Sequence, residues 1–116
     1  MTDDWIDHAP DNALRAWAAL AAFGAPLADL GVTPGDLGTP GVVVQIGLPP
    51  ARIDVLTAIS GVPTFAEAWP DRLERDVRGV RVPFLGRNAL LRNKRAAGRR
   101  QDLADIEALG EDPEPA

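Results

Sequence analysis

The sequence predicts an α+β fold, with an α/β sandwich as the alternative, built on a mainly antiparallel sheet with helices packed on it. Three observations support this prediction: an amphipathic helix near the start, pairs of β-branched segments in the middle, and two helices at the end. A chain of 116 residues is long enough for one modest core. We therefore predict a single domain over residues 1–110 and a frayed acidic tail over residues 111–116.

The helices are recognised by apolar spacing and by their end signals. A helix is predicted over Asp11–Phe23, because apolar residues recur on one face and Gly24 and Pro26 follow. A helical turn is predicted at Leu27–Leu30, within a loop rich in glycine and proline. The remaining helical predictions are a broken helix within Gly61–Leu73, ended by Pro70, and two closing helices, Arg87–Ala97 and Arg100–Leu109.

The strands are recognised by β-branched residues between glycine and proline. The five predicted strands are a stub at Trp5–Ile6, then Gly41–Gly47, Arg52–Thr57, Glu74–Val77 and Val80–Phe84. Gly41–Gly47 is almost entirely apolar, which predicts burial on both faces. It should pair antiparallel with Arg52–Thr57, and Arg78-Gly79 should form a two-residue hairpin turn.

Composition excludes several kinds of site. The chain has no cysteine and one histidine, which leaves no thiolate metal site and no multi-histidine zinc site. No apolar run reaches the roughly 20 residues needed to span a bilayer, and the acidic start is unlike a signal peptide. A net charge of -5 argues against a dedicated nucleic-acid binder. We therefore expect a cytoplasmic protein with no membrane partner.

Asp54 is the most informative single residue, because it lies inside an otherwise apolar strand. A buried carboxylate is costly unless it is paired or binds a cation. Asp54 is therefore interpreted either as the partner of Arg52, or as a surface residue of an edge strand, or as a metal ligand. A metal ligand would need partners on neighbouring strands, and Asp3 and Asp4 are the acidic cluster placed at a strand.

The closing helices are broken at Gly98 and change charge abruptly just after it, between Arg100 and Asp102. Six basic residues and no acid precede the change: Arg87, Arg92, Lys94, Arg95, Arg99 and Arg100. Three acids and no base follow: Asp102, Asp105 and Glu107. The basic segment is consistent with RNA or phosphate binding, although a solvated helix face is the favoured interpretation.

Four segments in this order resemble a polymerase-β-type nucleotidyltransferase of the small bacterial kind, which includes minimal nucleotidyltransferases and AbiEii-type toxins. The segments are TDDWID before the PDNA helix start, GVVVQIG leading into RIDVLT, the hairpin ending VPFLG, and RNKRAAGRRQDLADIEAL. They cover most of the chain, and the last is the most specific. The resemblance implies an α+β fold of that family without its first helix and strand.

The resemblance implies a Mg²⁺ site and a role for each of several residues. Asp54 matches the family's third carboxylate, and Asp3 matches the second member of its D-x-D pair, with Asp4 as the other candidate. Lys94 matches the family's lysine, which acts on phosphates or steadies the carboxylates. Asp54 and Lys94 are thus the implied catalytic residues, Asp3 and Asp54 the metal ligands, and Lys94 the nucleotide-binding residue. Acidic residues of the last helix are expected to serve packing and helix electrostatics.

Three functions are predicted from this resemblance and from the basic segment. The first is a truncated or degenerate nucleotidyltransferase-fold protein with little activity by itself, acting through a protein partner as in a toxin–antitoxin pair. The second is an active Mg²⁺-dependent enzyme that transfers a nucleoside monophosphate from an NTP to a hydroxyl acceptor, either with its start upstream or completed by another chain, including a second copy. The third is a small RNA-binding module.

Overall fold

The structure, a computed structural model, describes residues 2–111. These residues belong to two compact units, divided between Ile59 and Ser60, and each unit is described by itself. The single domain predicted over residues 1–110 stays a prediction. The predicted frayed tail lies outside the described residues from residue 112 onward.

The first unit is a three-stranded sheet with two helices. Its elements are β1 (Thr2–Trp5), α1 (Pro10–Phe23), α2 (Pro34–Leu37), β2 (Val43–Ile46) and β3 (Ile53–Leu56). The strand order is β1-β3-β2, so β3 is central. β1 runs parallel to β3, and β2 runs antiparallel to it. The first helix and the antiparallel β2–β3 pair are confirmed. A strand near the start is also confirmed, but it spans Thr2–Trp5 and shares only Trp5 with the predicted Trp5–Ile6 stub.

The core of this unit lies between one face of the sheet and its helices. Val44, Ile46 and Val55 pack with Ala13 of α1 and Leu37 of α2. These are the alternate residues of β2 and β3, because successive side chains of a strand point to opposite faces. The register across the sheet therefore decides which polar residues occupy the other face.

The prediction that β2 is buried on both faces is wrong. Val43 is 52% exposed and Gln45 is also exposed, whereas Val44 and Ile46 are buried. The helices α1 and α2 cover the face that carries Val44 and Ile46. A run of β-branched residues does not distinguish one covered face from two.

The loop after α1 contains a short helix that was not predicted from the sequence. The predicted turn at Leu27–Leu30 is present as a hydrogen-bonded turn, in which the Leu30 N–H donates to the Pro26 carbonyl at 3.0 Å. The helix α2 begins after Thr33, whose Oγ1 accepts from the Asp36 N–H at 3.3 Å. Asp36 Oδ2 accepts in return from the Thr33 N–H at 2.8 Å. This capping box stabilises a helix of one turn that is too short for apolar periodicity.

The second unit is a hairpin with helices on either side in the sequence. Its elements are α3 (Phe65–Ala68), a 3₁₀ turn (Trp69–Asp71), β4 (Leu73–Val77), β5 (Val80–Phe84), α4 (Arg87–Ala97) and α5 (Arg100–Ala108). The hairpin, the broken helix and both closing helices are confirmed, although the broken helix ends at Asp71 rather than at Pro70. Arg78 and Gly79 both have positive φ, at 51° and 82°, as a type I′ hairpin turn requires. Gly98 ends α4 in the left-handed conformation, with φ at 63°.

The predicted α+β class is confirmed, and antiparallel pairing predominates. The predicted mainly antiparallel sheet is present as two sheets within residues 2–111, one three-stranded and one two-stranded. Hairpin and helix signals are local, whereas the pairing of distant strands depends on tertiary contacts. None of the helices in this part of the chain has the length and apolar character to cross a membrane.

Candidate functional site

Asp3 and Asp54 are neighbours across the first sheet. Asp3 of β1 is in register with Asp54 of β3, and Gln45 of β2 is in register with Asp54 on its other side. Residues in register on adjacent strands share a face, and the strands lie about 4.8 Å apart. The fold therefore places both predicted metal-binding carboxylates on one face, opposite the face that packs on α1 and α2.

Asp4, the other candidate for this carboxylate, lies on the opposite face. It is in register with Val55, which belongs to the core. Burial raises the pKa of the Asp4 carboxyl, and the neighbouring Asp3 carboxylate raises this pKa further. Of the two candidates, Asp3 is the one that shares a face with Asp54.

The Asp54 carboxylate is held by Arg52 of the same chain segment. Arg52 Nη2 donates to Asp54 Oδ2 at 3.2 Å. Arg52 Nε lies 2.9 Å from Asp54 Oδ1, although this second contact is too bent to count as a hydrogen bond. Asp54 is only 9% exposed, so the guanidinium compensates a buried charge. Of the predicted alternatives for Asp54, the ion pair with Arg52 is present in the structure. The surface position on an edge strand is wrong, because β3 is central.

The Asp3–Asp54 pair has the chemistry of a hard-cation site. Mg²⁺ is commonly held by one or two carboxylates together with substrate phosphates. Within residues 2–111, no group of three or more histidine, cysteine or acidic side chains is placed to hold a metal ion. The resemblance assigns Mg²⁺ to Asp3 and Asp54, and with only two carboxylates the remaining ligands would have to come from phosphate and water.

Lys94, the third predicted site residue, lies in the second unit on α4. Its Nζ donates to Asp105 Oδ2 at 2.8 Å and lies 3.9 Å from Asp102 Oδ1. Its side chain is 19% exposed. Lys94 therefore links α4 to α5, and two carboxylates compensate its charge.

Asp102 caps the start of α5. Its Oδ2 accepts from the backbone N–H of Arg99 at 3.2 Å and from Arg99 Nε at 2.7 Å. The hydrogen bond from the Arg99 side chain lowers the pKa of this carboxyl below its ordinary value of 3.8, and the backbone hydrogen bond and the charge of Lys94 act in the same direction. Asp102 is only 3% exposed, in keeping with the packing and electrostatic role expected for it.

Most of the basic segment is engaged by carboxylates within the second unit. The ion pairs are Arg87–Glu111, Arg92–Glu67, Lys94–Asp105 and Arg99–Asp102. Paired charges of this kind fit the solvated, self-neutralised helix face better than an open phosphate-binding surface.

Two residues beside the carboxylates were not identified from the sequence. Gln45 and Trp5 lie on the face of Asp3 and Asp54, according to the strand register. The available signal for Gln45 was its position as the one polar residue of an apolar strand. Trp5 gave no such signal, since a tryptophan beside a strand more often serves packing.

Comparison with protein-family models, with curated proteins and with solved structures found no match to this chain.

Proposed function

We propose that this protein has a nucleotidyltransferase-type fold with little transfer activity by itself, and that its Asp3–Asp54 pair binds a divalent cation. The observation that carries this proposal is the register that aligns Asp3 with Asp54 on adjacent parallel strands. These residues are far apart in the sequence, and the family resemblance independently assigned a metal to both. A cytoplasmic location, where Mg²⁺ and NTPs are abundant, fits this role.

Each site residue has a role in the proposal. Asp3 and Asp54 would hold Mg²⁺, which when bound neutralises phosphate charge and polarises a phosphoryl group. Lys94, in the second unit, stays the predicted phosphate-binding residue, and within its own unit Asp102 and Asp105 compensate its charge. An NTP and a hydroxyl acceptor are the corresponding substrates.

Two contacts support low activity of the chain by itself. Arg52 holds the Asp54 carboxylate, and Asp105 holds the ammonium of Lys94 at 2.8 Å. Asp54 must be released from Arg52 before it can bind a cation, and Lys94 must be released from Asp105 before it can bind a phosphate. The pair also supplies two carboxylates, where the family pattern has three.

The proposal predicts a weak Mn²⁺ site that depends on both carboxylates. Mn²⁺ is used because it replaces Mg²⁺ at oxygen ligands and because its free form is measured by electron paramagnetic resonance. We expect Asp3→Asn and Asp54→Asn each to weaken Mn²⁺ binding by about ten-fold or more, roughly 1.4 kcal/mol. Asp29→Asn, an exposed change in the same unit, should leave binding unchanged.

This test needs a control for folding, and two outcomes would contradict the proposal. Circular dichroism must first show that each variant is folded. If Asp54→Asn and Asp29→Asn bind Mn²⁺ with equal affinity, the proposed cation site is contradicted. If the wild-type chain alone transfers labelled nucleoside monophosphate from an α-labelled NTP to RNA or protein at an ordinary enzymatic rate, the proposed low activity is contradicted.

One observation favours the alternative of an active enzyme completed by another chain. β1 lies at the edge of its sheet, and an edge strand can pair with a strand from another protein. A protein partner, as in a toxin–antitoxin pair, or a second copy would then complete the sheet beside Asp3. The alternative requires NTP transfer to rise with added partner or with chain concentration, in step with association measured by sedimentation.

A further inference from the structure

Arg52 contacts both oxygens of the Asp54 carboxylate, one through a hydrogen bond and the other through a close ion-pair contact. The guanidinium places Nη2 3.2 Å from Asp54 Oδ2 and Nε 2.9 Å from Asp54 Oδ1. Each carboxylate oxygen thus faces a nitrogen of the same planar group. A cation that binds Asp54 must share or replace these contacts.

The two partners differ in their access to water. The side chain of Arg52 is 25% exposed, whereas that of Asp54 is 13% exposed. A long arginine side chain can move its charged end toward solvent, while Asp54 is fixed on the central strand of the sheet. Arg52 is therefore the partner that can leave.

We propose that Arg52 regulates this site as a built-in competitor of the bare divalent cation and as a ligand for the phosphates that accompany it. This inference rests on the proposed function, because it assumes that the Asp3–Asp54 pair binds a cation. A bare cation near Asp54 is repelled by the guanidinium. A cation that arrives with phosphate brings anionic oxygens, which arginine binds through the same fork of N–H donors.

Arg52 thereby makes the site select the cation–polyphosphate complex over the bare cation. The selectivity needs no third carboxylate. It follows from one residue whose charge opposes the metal and attracts the phosphate.

The first test uses Mn²⁺ alone with the full chain. We expect Arg52→Gln to bind Mn²⁺ about ten-fold more tightly than the wild type, a change of about 1.4 kcal/mol. Arg15→Gln is the matched control. It also removes one positive charge from the first unit, but its pair with Asp11 is long, at 3.5 Å, and both side chains are more than 70% exposed. Binding of Mn²⁺ by Arg15→Gln should equal that of the wild type.

The second test uses the preformed Mn²⁺–triphosphate complex and measures its binding to the protein by equilibrium dialysis, because triphosphate itself binds Mn²⁺. The wild type and Arg15→Gln should bind this complex more tightly than bare Mn²⁺, and Arg52→Gln should lose this preference. Arg52→Lys keeps the charge but lacks the planar guanidinium, and it should bind the complex with intermediate affinity. It also provides a second variant if Arg52→Gln does not fold.

The outcomes separate the two proposals. If Asp54→Asn loses Mn²⁺ binding while Arg52→Gln binds Mn²⁺ no more tightly than the wild type, Arg52 is not a competitor and this inference is overturned. If Asp3→Asn and Asp54→Asn both bind like the wild type, the site itself is absent and the proposed function is overturned with it.

Discussion

Replacing Gly61 by alanine is expected to lower the free energy of unfolding by about 2–5 kcal/mol, combining overpacking with a strained backbone. Gly61 has φ at +80°, a conformation that residues with a Cβ rarely adopt. A Cβ added there would lie 2.8 Å from the Ala96 Cβ and 2.9 Å from the Arg92 carbonyl carbon of α4. It would come closer still to the Arg92 carbonyl oxygen. Backbone atoms of a helix cannot give way as a flexible side chain does, so α4 itself must shift.

Gly79→Ala separates the two causes. Gly79 has nearly the same φ, at +82°, but nothing lies within 4 Å of its added Cβ. We expect this variant to lose only about 1–2 kcal/mol, the cost of the left-handed backbone. Urea denaturation, followed by circular dichroism and tryptophan fluorescence, measures both. If Gly61→Ala lowers the free energy of unfolding no more than Gly79→Ala does, the close approach of residue 61 to α4 adds no steric cost.

Replacing Asp102 by alanine is expected to lower the free energy of unfolding by about 2 kcal/mol, the loss of an N-terminal cap and of hydrogen bonds to a charged group. The carboxylate accepts from Arg99 Nε at 2.7 Å and from the Arg99 backbone N–H at 3.2 Å. The value is kept modest because the Arg99 side chain is 75% exposed, and water screens the pair.

Asp105→Ala is the matched control for Asp102. Asp105 also binds Lys94, but its side chain is 43% exposed, so its removal should cost below about 1 kcal/mol. The loss in Asp102→Ala should include helical circular dichroism signal from α5. Equal losses in the two variants would mean that burial and capping do not distinguish these carboxylates.

The same carboxylate predicts an acid dependence of stability. The pKa of Asp102 is lower in the folded state than its ordinary value of 3.8, chiefly because Arg99 donates to it. Its contribution is therefore fully present above about pH 4 and is lost as the pH falls through the lowered pKa. Asp4 acts in the opposite direction, because burial raises its pKa and folding favours its protonated form. Urea denaturation of the wild type and Asp102→Ala from pH 5 to pH 2.5 should show the difference between them shrinking with acid; a constant difference contradicts this assignment.

Local signals in the sequence predicted most of the elements. The spacing of apolar residues predicted α1, Arg78-Gly79 predicted the hairpin turn, and Gly98 predicted the break between α4 and α5. Each signal acts within a few residues, through a fixed helical period or a backbone angle that glycine adopts most easily. The one-turn helix α2 was missed because its capping box, rather than apolar spacing, stabilises it.

The sequence by itself determined which residues carry the candidate chemistry: the aspartate inside an apolar strand, the acidic stub near the start, and the only lysine. Only the tertiary structure decided how they are placed. Strand register aligned Asp3 with Asp54 and placed Asp4 on the opposite face. Arg52 forms an ion pair with Asp54, and Asp105 of α5 forms an ion pair with Lys94. The physical reason is that pairing between distant strands is set by burial of a whole face, and a shift of one residue would exchange the faces.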